Sequence, residues 1–230
     1  MEVEPIAYIK TKFPEKFGIP RQGGVSLGTD GMIVFTDKYK NQDAIKGLEK
    51  FSHIWLIWEF SKVDEDKVSS MTVRPPKLGG NKRVGVFATR SPFRPNRLGL
   101  TSVKLEKVDF FDKSLGPVLY ISGADMVTDT PIIDIKPYIP YADCHTDAVG
   151  GFTDDIAYKK LNVTTDEEII KNIPEKTLNE LKSILSEDPR PSYQSDPNRV
   201  YGMFYDDLSI KFKVNGDEIL ITEISKNPTP

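Results

Sequence analysis

The sequence predicts a mainly β protein, with an antiparallel β-barrel-like domain of non-Rossmann type over residues 1–158 and a small α+β domain over 159–230. Three observations carry that expectation. Short runs rich in β-branched and aromatic residues, bounded by Gly, Pro, Asp or Asn, recur through the first two-thirds of the chain, as they do in barrels and sandwiches. No G-x-G-x-x-G follows a strand-like run and no G-x-x-x-x-G-K-[ST] occurs, so neither a dinucleotide-binding fold nor a Walker NTPase is supported. After about residue 155 the pattern changes to a helical stripe, a proline-punctuated stretch and a hairpin signal.

Taken in order, the strand-like runs are 3–10, 31–35, 53–60, 84–89, 98–110 and 117–123, with one helix expected near 39–50. In 53–60, Ile54, Leu56, Trp58 and Phe60 share one face while Trp55 and Ile57 share the other, so both faces are apolar and the strand is central. In 98–110 the apolar phase slips from even (Leu98, Leu100) to odd (Val103, Leu105), which predicts a bulge or a barrel bend. Residues 165–187 read as helix, with Pro174 in a first turn and Leu178, Leu181 and Leu185 along one stripe. Asn215-Gly216 between two alternating runs, 209–214 and 218–224, marks a β-hairpin.

Composition removes several function classes. The single cysteine, Cys144, precludes an internal disulfide framework and suits a reducing cytoplasm. With only His53 and His145 beside it, a structural zinc site is not expected, and no metal is. No apolar run is long enough for a membrane helix and the first residues carry no secretion signal, so a cytoplasmic protein without a membrane partner is expected. The absence of G-x-S-x-G leaves serine-hydrolase chemistry without a nucleophile signature.

The formal net charge is only −3, but its distribution is uneven. Between 74 and 107 nine basic residues face the single acid Glu106, whereas between 125 and 155 seven aspartates face Lys136 alone. Such segregation favours a polyanionic partner over what the total suggests; the alternative is that the two segments neutralise each other within the fold.

Three stretches carry the chemistry. The first is "TRSPFRPNR", 89–97, in which Pro92 and Pro95 stiffen a loop bearing Arg90, Arg94 and Arg97. A stiff loop loses little entropy on binding. Its guanidinium forks suit carboxylate or phosphate, Asn96 can donate and accept as adenine recognition requires, and Phe93 offers a stacking face. A purely structural strand connection explains the prolines equally well. The second is "DMVTDTPIIDIKPYIPYAD", 125–143, where Asp134 lies among isoleucines and must be paired, either with an arginine of the first stretch or with a ligand. The third is "FGIPRQGGVS", 17–26, a Gly/Pro turn carrying Arg21 and Gln22.

At these stretches the sequence resembles the TrmO (YaeB/TsaA-type) family of S-adenosylmethionine-dependent tRNA methyltransferases, which use a non-Rossmann β-barrel. The matching segments are GIPRQGG (18–24), FSHIWLIWEF (51–60), GVFATRSPFRPNRLGLTSV (85–103), DTPIIDIKPYIPYAD (129–143) and DPRPSY…RVYGM (188–203), spanning nearly the whole chain. The resemblance implies a homodimer with S-adenosylmethionine held by barrel loops near the subunit interface. It implies methylation of N6 of the adenosine at tRNA position 37, next to the anticodon, on a base already bearing a threonylcarbamoyl group. It carries cofactor contacts over to Pro20, Arg21, Gln22, Ser61, Lys62, Arg90, Leu100, Thr128, Asp129, Thr130 and Pro131. Ser61-Lys62 stands where relatives often show a histidine, Thr-Asp-Thr-Pro replaces Asp-Gly-Thr-Pro, and Asn-Arg-Leu-Gly replaces Asn-Pro-Ile-Gly.

Within that reading, methyl transfer is an in-line displacement that needs two pockets and reacting atoms about 3 Å apart. Asp134, or a nearby carbonyl, is expected to accept an N–H of the adenine amine, with Tyr138 or Phe93 beside the base. Arg94, Asn96, Arg97, Lys82, Arg83, Arg190, Tyr193 and Arg199 are the expected tRNA contacts, with affinity falling as salt rises. His53 reads as a core hydrogen-bonding residue and Cys144 as inert. The competing readings are a non-catalytic RNA-binding or regulatory barrel, and a methyltransferase acting on another adenine-containing substrate.

Overall fold

The computed structural model describes residues 2–63, 70–75, 78, 82–155, 159–190 and 194–226. The strands that build its larger part are β1 (Ala7–Thr11), β2 (Gly31–Phe35), β3 (His53–Glu59), β4 (Thr72–Val73), β5 (Val84–Gly85), β6 (Leu98–Asp112), β7 (Gly116–Ser122) and β8 (Thr130–Pro137). Six of them close a barrel in the order β1-β2-β7-β6-β3-β8, every pair antiparallel, while β4 and β5 form a small ribbon in the β3–β6 connection. Alternation fills the interior: Ala7 and Ile9, Ile33 and Phe35, Ile54, Leu56 and Trp58, Val103 and Leu105, Leu119 and Ile121, and Ile132 all bury their side chains there.

The antiparallel register decides where the connections emerge. Thr11 lies opposite Gly31, Gly31 opposite Ile121, Glu59 opposite Leu98 and Ile9 opposite Thr130. The β1–β2 loop (12–30), the β3–β6 connection (60–97) and the β7–β8 loop (123–129) therefore leave from one mouth of the barrel. Each of the three chemistry-bearing stretches has residues in one of these loops.

The phase slip in β6 is real but lies further along than the leucines suggest. Leu98 and Leu100 point outward, and the inward residues are Gly99, Thr101, Val103 and Leu105; the register shifts between Leu105 and Lys107, after which Val108 and Phe110 face the core. Gly99 faces inward because a larger residue cannot: a Cβ there would sit 2.2 Å from Cε2 of Trp58. The first expected helix is broken. α1 (Gln42–Ile45), capped by the Asn41 side chain, stops at Gly47, whose φ of +92° no helix accepts, and a 3₁₀ turn follows over Leu48–Lys50. The expected strand 84–89 yields after Gly85 to a 3₁₀ turn over Val86–Ala88, and the expected strand 3–10 begins only at Ala7.

Beyond the barrel lie α2 (Pro140–Asp143), β9 (Asn162–Thr165), α3 (Glu167–Ile170), α4 (Glu175–Ser186), β10 (Tyr201–Tyr205), β11 (Leu208–Asn215) and β12 (Glu218–Lys226). The expected helix 165–187 is thus two helices, parted at Pro174, which has extended backbone at the N-cap of α4. Leu181, Ile184 and Leu185 bury the stripe of α4 on a four-stranded sheet ordered β10-β11-β12-β9, in which β9 runs parallel to β12. The hairpin is present one residue later than read: Asn215 pairs with Glu218, and Gly216, at φ +55°, begins the two-residue turn. The strands β9 and β10 were not foreseen. The core of this unit takes Phe13 from the β1–β2 loop, with Phe17 and Ile19 packed against it.

Candidate functional site at the barrel mouth

The arginine-rich loop is rigid because its own side chains hold it. The Thr89 hydroxyl donates to the Val86 carbonyl (2.8 Å) and accepts from the Ser91 amide (3.2 Å), and Ser91 Oγ accepts from Phe93 N (3.2 Å). Arg94 donates to the carbonyls of Thr89 (2.8 Å) and Ser91 (3.4 Å), so its guanidinium staples the loop. Arg97, in the left-handed region at φ 45°, pairs with Glu59 at 3.1 Å and donates to the Val63 carbonyl, closing the connection back on β3. Pro95, Asn96, Arg97 and Leu98 wall an open cleft of about 340 Å³ whose other side is Val3, Glu59 and Ile133. Arg90 reaches away from the loop and donates to Gln22 Oε1 of the β1–β2 loop.

Behind that exposed contact a polar relay runs into the barrel. Trp58 Nε1 donates to Thr101 Oγ1 at 3.0 Å, and the Thr101 hydroxyl donates to Asp125 Oδ1 at 2.8 Å. Burial pushes the Asp125 carboxyl above the usual carboxylate range; the Thr101 hydroxyl, the amides of Asp125 and Gly23, and the charge of Arg90 oppose the shift without cancelling it. Gly23 is pressed against this relay: a Cβ there would meet Thr101 Cγ2 at 2.6 Å and the Gly123 carbonyl at 2.7 Å. Gly24 N donates to that same carbonyl at 3.1 Å. Asp125, Thr101 and Trp58 are thus parts of the site that the sequence reading missed. The only signal was an isolated Asp in an otherwise apolar Gly-Ala-x-Met-Val run.

The remaining expected cofactor residues reach the same mouth. Pro20 is buried beside Arg21, whose guanidinium donates to the Arg190 carbonyl at 2.7 Å. The turn of Ser61 and Lys62 is tied to the β1–β2 loop through Lys16, which donates to the Lys62 carbonyl. Thr128 N donates to the Phe13 carbonyl (2.8 Å) and Thr128 Oγ1 accepts from Thr11 N. Asp129, at φ 64°, pairs with Lys10, while Thr130 and Pro131 are buried where β8 begins. Leu100, 58% exposed, lies outside the barrel one residue before Thr101, with Leu98, Phe87 and Phe93 as further exposed apolar side chains.

Asp134 sits on the outer face of β8 opposite Ile57. It accepts from Ile135 N at 2.9 Å and pairs with Lys136 at 3.1 Å, not with an arginine of the first stretch. Tyr138 lies seven residues past Pro131 along β8, towards the other end of β3; its amide donates to the His53 carbonyl and its ring packs near Trp55 at 5.6 Å. A strand rises about 3.3 Å per residue, so Tyr138 stands roughly 20 Å from the mouth within one chain. His53 is exposed rather than in the core, with Nδ1 3.0 Å from Ser52 Oγ; Cys144 is exposed.

Lys82 and Arg83 are exposed, and Arg83 donates to Thr72 Oγ1. Arg190 forms a bidentate pair with Asp188 (2.9 and 3.1 Å), which holds its guanidinium above the usual arginine range. Arg199 lies 5.3 Å from the Tyr201 ring, a cation–π contact, and Tyr193 falls outside the described residues. Asp129 pairs with Lys10 and Asp134 with Lys136, while Arg90 of the basic segment acts through its charge on Asp125 of the acidic one. Among the described residues no group of three His, Cys, Asp or Glu side chains is placed to hold a metal, and no helix is long and apolar enough to cross a membrane.

A closed antiparallel barrel whose loops gather guanidinium groups, a half-buried carboxylate and close-packed glycines at one mouth defines a non-Rossmann barrel with a loop-built mouth. Residues 8–144 match the family model described as the tRNA-methyltransferase O N-terminal domain and 159–227 that of the TrmO C-terminal domain: the chain belongs to the TrmO family. It is 35% identical to the Escherichia coli K12 protein named tRNA (adenine(37)-N6)-methyltransferase, over 96% of this chain and 97% of that one. A Pseudomonas aeruginosa relative that carries the name of an S-adenosylmethionine-dependent methyltransferase is 37% identical over 90% of each chain. The crystal structure of TrmO from P. aeruginosa superposes with a TM-score of 0.78 at 30% identity, covering 98% of this chain and 97% of that one.

Proposed function

We propose that the protein methylates N6 of the adenosine at position 37 of tRNA, next to the anticodon, using S-adenosylmethionine, and that the base it accepts already carries a threonylcarbamoyl group. The observation that carries the reading is the meeting of the β1–β2, β3–β6 and β7–β8 loops at one mouth through the Arg90–Gln22 and Asp125–Thr101 contacts. The names of the E. coli and P. aeruginosa relatives support the reaction and the cofactor.

The residues present fit that cofactor. Its methionine part needs a cation for the carboxylate and an anion for the ammonium, and its adenosine needs an apolar wall. Arg21 and Arg90 supply the first, Asp129 the second, and exposed Leu100 and Phe93 the third. Gly23 lets the loop press directly on Thr101 and the Gly123 carbonyl, where any side chain would collide, and so fixes its neighbours at the mouth. Pro20, Gln22, Ser61, Lys62, Thr128, Thr130 and Pro131 complete this binding wall.

When bound, S-adenosylmethionine supplies an electrophilic methyl group on a sulfonium. The chain supplies orientation. The exocyclic amine of adenine is a weak nucleophile because its lone pair is delocalised into the ring. N6 of the threonylcarbamoylated base keeps a single N–H; Asp134 accepts that bond and takes its proton, so that the methyl replaces the hydrogen, and Tyr138 flanks the base from a second copy of the chain. The tRNA lies along the exposed Lys82, Arg83, Asn96 and Arg199, while Arg94, Arg97 and Arg190, held by loop carbonyls, Glu59 and Asp188, shape that surface. Exposed Phe87, Leu98 and Leu100 beside the mouth support a homodimer there. The cytoplasm is the compartment in which tRNA and this cofactor meet.

The test is methyl transfer from labelled S-adenosylmethionine to tRNA lacking only this methyl group, followed by nucleoside mass analysis. A new methyl on the threonylcarbamoyl-adenosine is the expected result. No incorporation with cofactor binding intact assigns another acceptor. No cofactor binding overturns the enzyme reading in favour of an RNA-binding barrel.

A further inference from the structure

The β1–β2 loop, residues 12–30, has almost no regular structure of its own, and loops of that length inside a compact fold are uncommon unless functional. Its tip, Gln22–Gly24, lies on the barrel through Arg90, Asp125 and Gly123, while Arg21 beside it donates to the Arg190 carbonyl of the C-terminal unit. Both of its flanks belong to the C-terminal unit. On the leading flank Phe13 is fully buried in the C-terminal core, the Lys12 carbonyl accepts from Asp206 N at 2.7 Å, and Glu15 accepts from Phe204 N. On the trailing flank Leu27 N donates to Ser183 Oγ at 2.9 Å, and the Val25 carbonyl accepts from Lys160.

The centre of this grip is buried and polar. The Tyr205 hydroxyl lies 2.9 Å from both the Gly28 carbonyl and Glu180 Oε2, and Lys12 donates to the same carboxylate oxygen at 2.7 Å. Burial raises the Glu180 carboxyl, but Lys12 and Tyr205 outweigh it and hold it below its usual range; burial and Glu180 together push the Tyr205 phenol far up. Glu180 is therefore an ionised acceptor and Tyr205 a permanent donor. The approach is close enough that a Cβ on Gly28 would sit 2.5 Å from the Tyr205 oxygen.

We propose that the C-terminal unit forms the backing wall of the cofactor site, and that Tyr205, Glu180 and Ser183 are positioning residues that hold the loop carrying Arg21 and Gln22 at the barrel mouth. This rests on the reading that residues 20–22 bind the cofactor. A loop held on both flanks is ordered before the ligand arrives, and loosening it transfers the ordering cost to binding.

The experiment measures S-adenosylmethionine affinity by calorimetry and hydrogen exchange across 12–30, using the full chain and the variants Tyr205→Phe, Ser183→Ala and Gln22→Ala. Tyr205→Phe and Ser183→Ala are expected each to weaken cofactor binding about five- to tenfold and to speed exchange over 25–30, with exchange over 98–105 in the barrel unchanged. Ser183→Ala keeps the test open if Tyr205→Phe unfolds the C-terminal unit. Unchanged affinity in a folded variant, whether or not the loop exchanges faster, overturns the proposal. If Gln22→Ala also leaves affinity unchanged, the assignment of 20–22 to the cofactor fails instead.

Discussion

Replacing Gly99 by alanine tests the relay that joins the barrel core to the site. A Cβ at this position would lie 2.2 Å from Trp58 Cε2 and 2.5 Å from Cζ2, against an ordinary contact of about 3.4 Å or more. The indole must therefore move by more than about 1 Å within a filled barrel, an overpacking cost of roughly 1–3 kcal/mol. Moving it also draws Nε1 away from Thr101 Oγ1, a buried bond worth about 1 kcal/mol. Together these predict a loss of about 2–4 kcal/mol, or roughly 4–16 °C in Tm for a chain of this size. Both tryptophans, Trp55 and Trp58, lie on β3, so urea unfolding followed by tryptophan fluorescence reports the barrel alone. The displaced Trp58 also withdraws the donor that holds Thr101 Oγ1, so the Thr101–Asp125 contact loosens with it. A loss below about 1 kcal/mol with an unshifted emission maximum would refute the packing argument.

Two further perturbations separate roles within the site. Asp125 is a carboxyl raised by burial, so its linkage runs opposite to that of a salt-bridged aspartate. Between the ordinary value near 3.9 and the raised native one, the folded state keeps a proton that the unfolded state has lost, and stability falls as pH rises. Asn does not titrate, so the Tm of Asp125→Asn relative to the parent should climb as pH rises above about 4; a flat difference would mean the carboxyl is not raised. Asp134→Asn should retain cofactor affinity while lowering turnover about tenfold or more in single-turnover methyl transfer, and unchanged turnover would remove Asp134 from the chemistry.

Much of the architecture is local in origin and legible in the sequence. Ile54, Leu56 and Trp58 alternate, so β3 had to bury that face; Asn215-Gly216 between two alternating runs had to turn, though the pairing placed the turn one residue on. The motif stretches could be read as well, because Pro92, Pro95 and the arginines around them announce a stiff cationic loop. What each arginine does could not. Arg94 closes on carbonyls within its own loop, Arg97 on Glu59, and only Arg90 crosses to Gln22, a choice made by backbone angles rather than residue type.

The outward turn of Leu98 and Leu100 escaped the reading of apolar periodicity because it depends on Trp58 needing the space above Gly99, a neighbour 41 positions away in the chain. Asp125, Thr101 and Trp58 form one relay only because β3, β6 and the β7–β8 loop meet at the same mouth. Glu180, a charge on the buried side of a helix, makes sense only beside Lys12 and Tyr205. Periodicity and turn chemistry act over a few residues and so can be read along the chain. The pairing of buried polar groups is set by the closure of the barrel and the docking of the second sheet, and only the folded structure decides it.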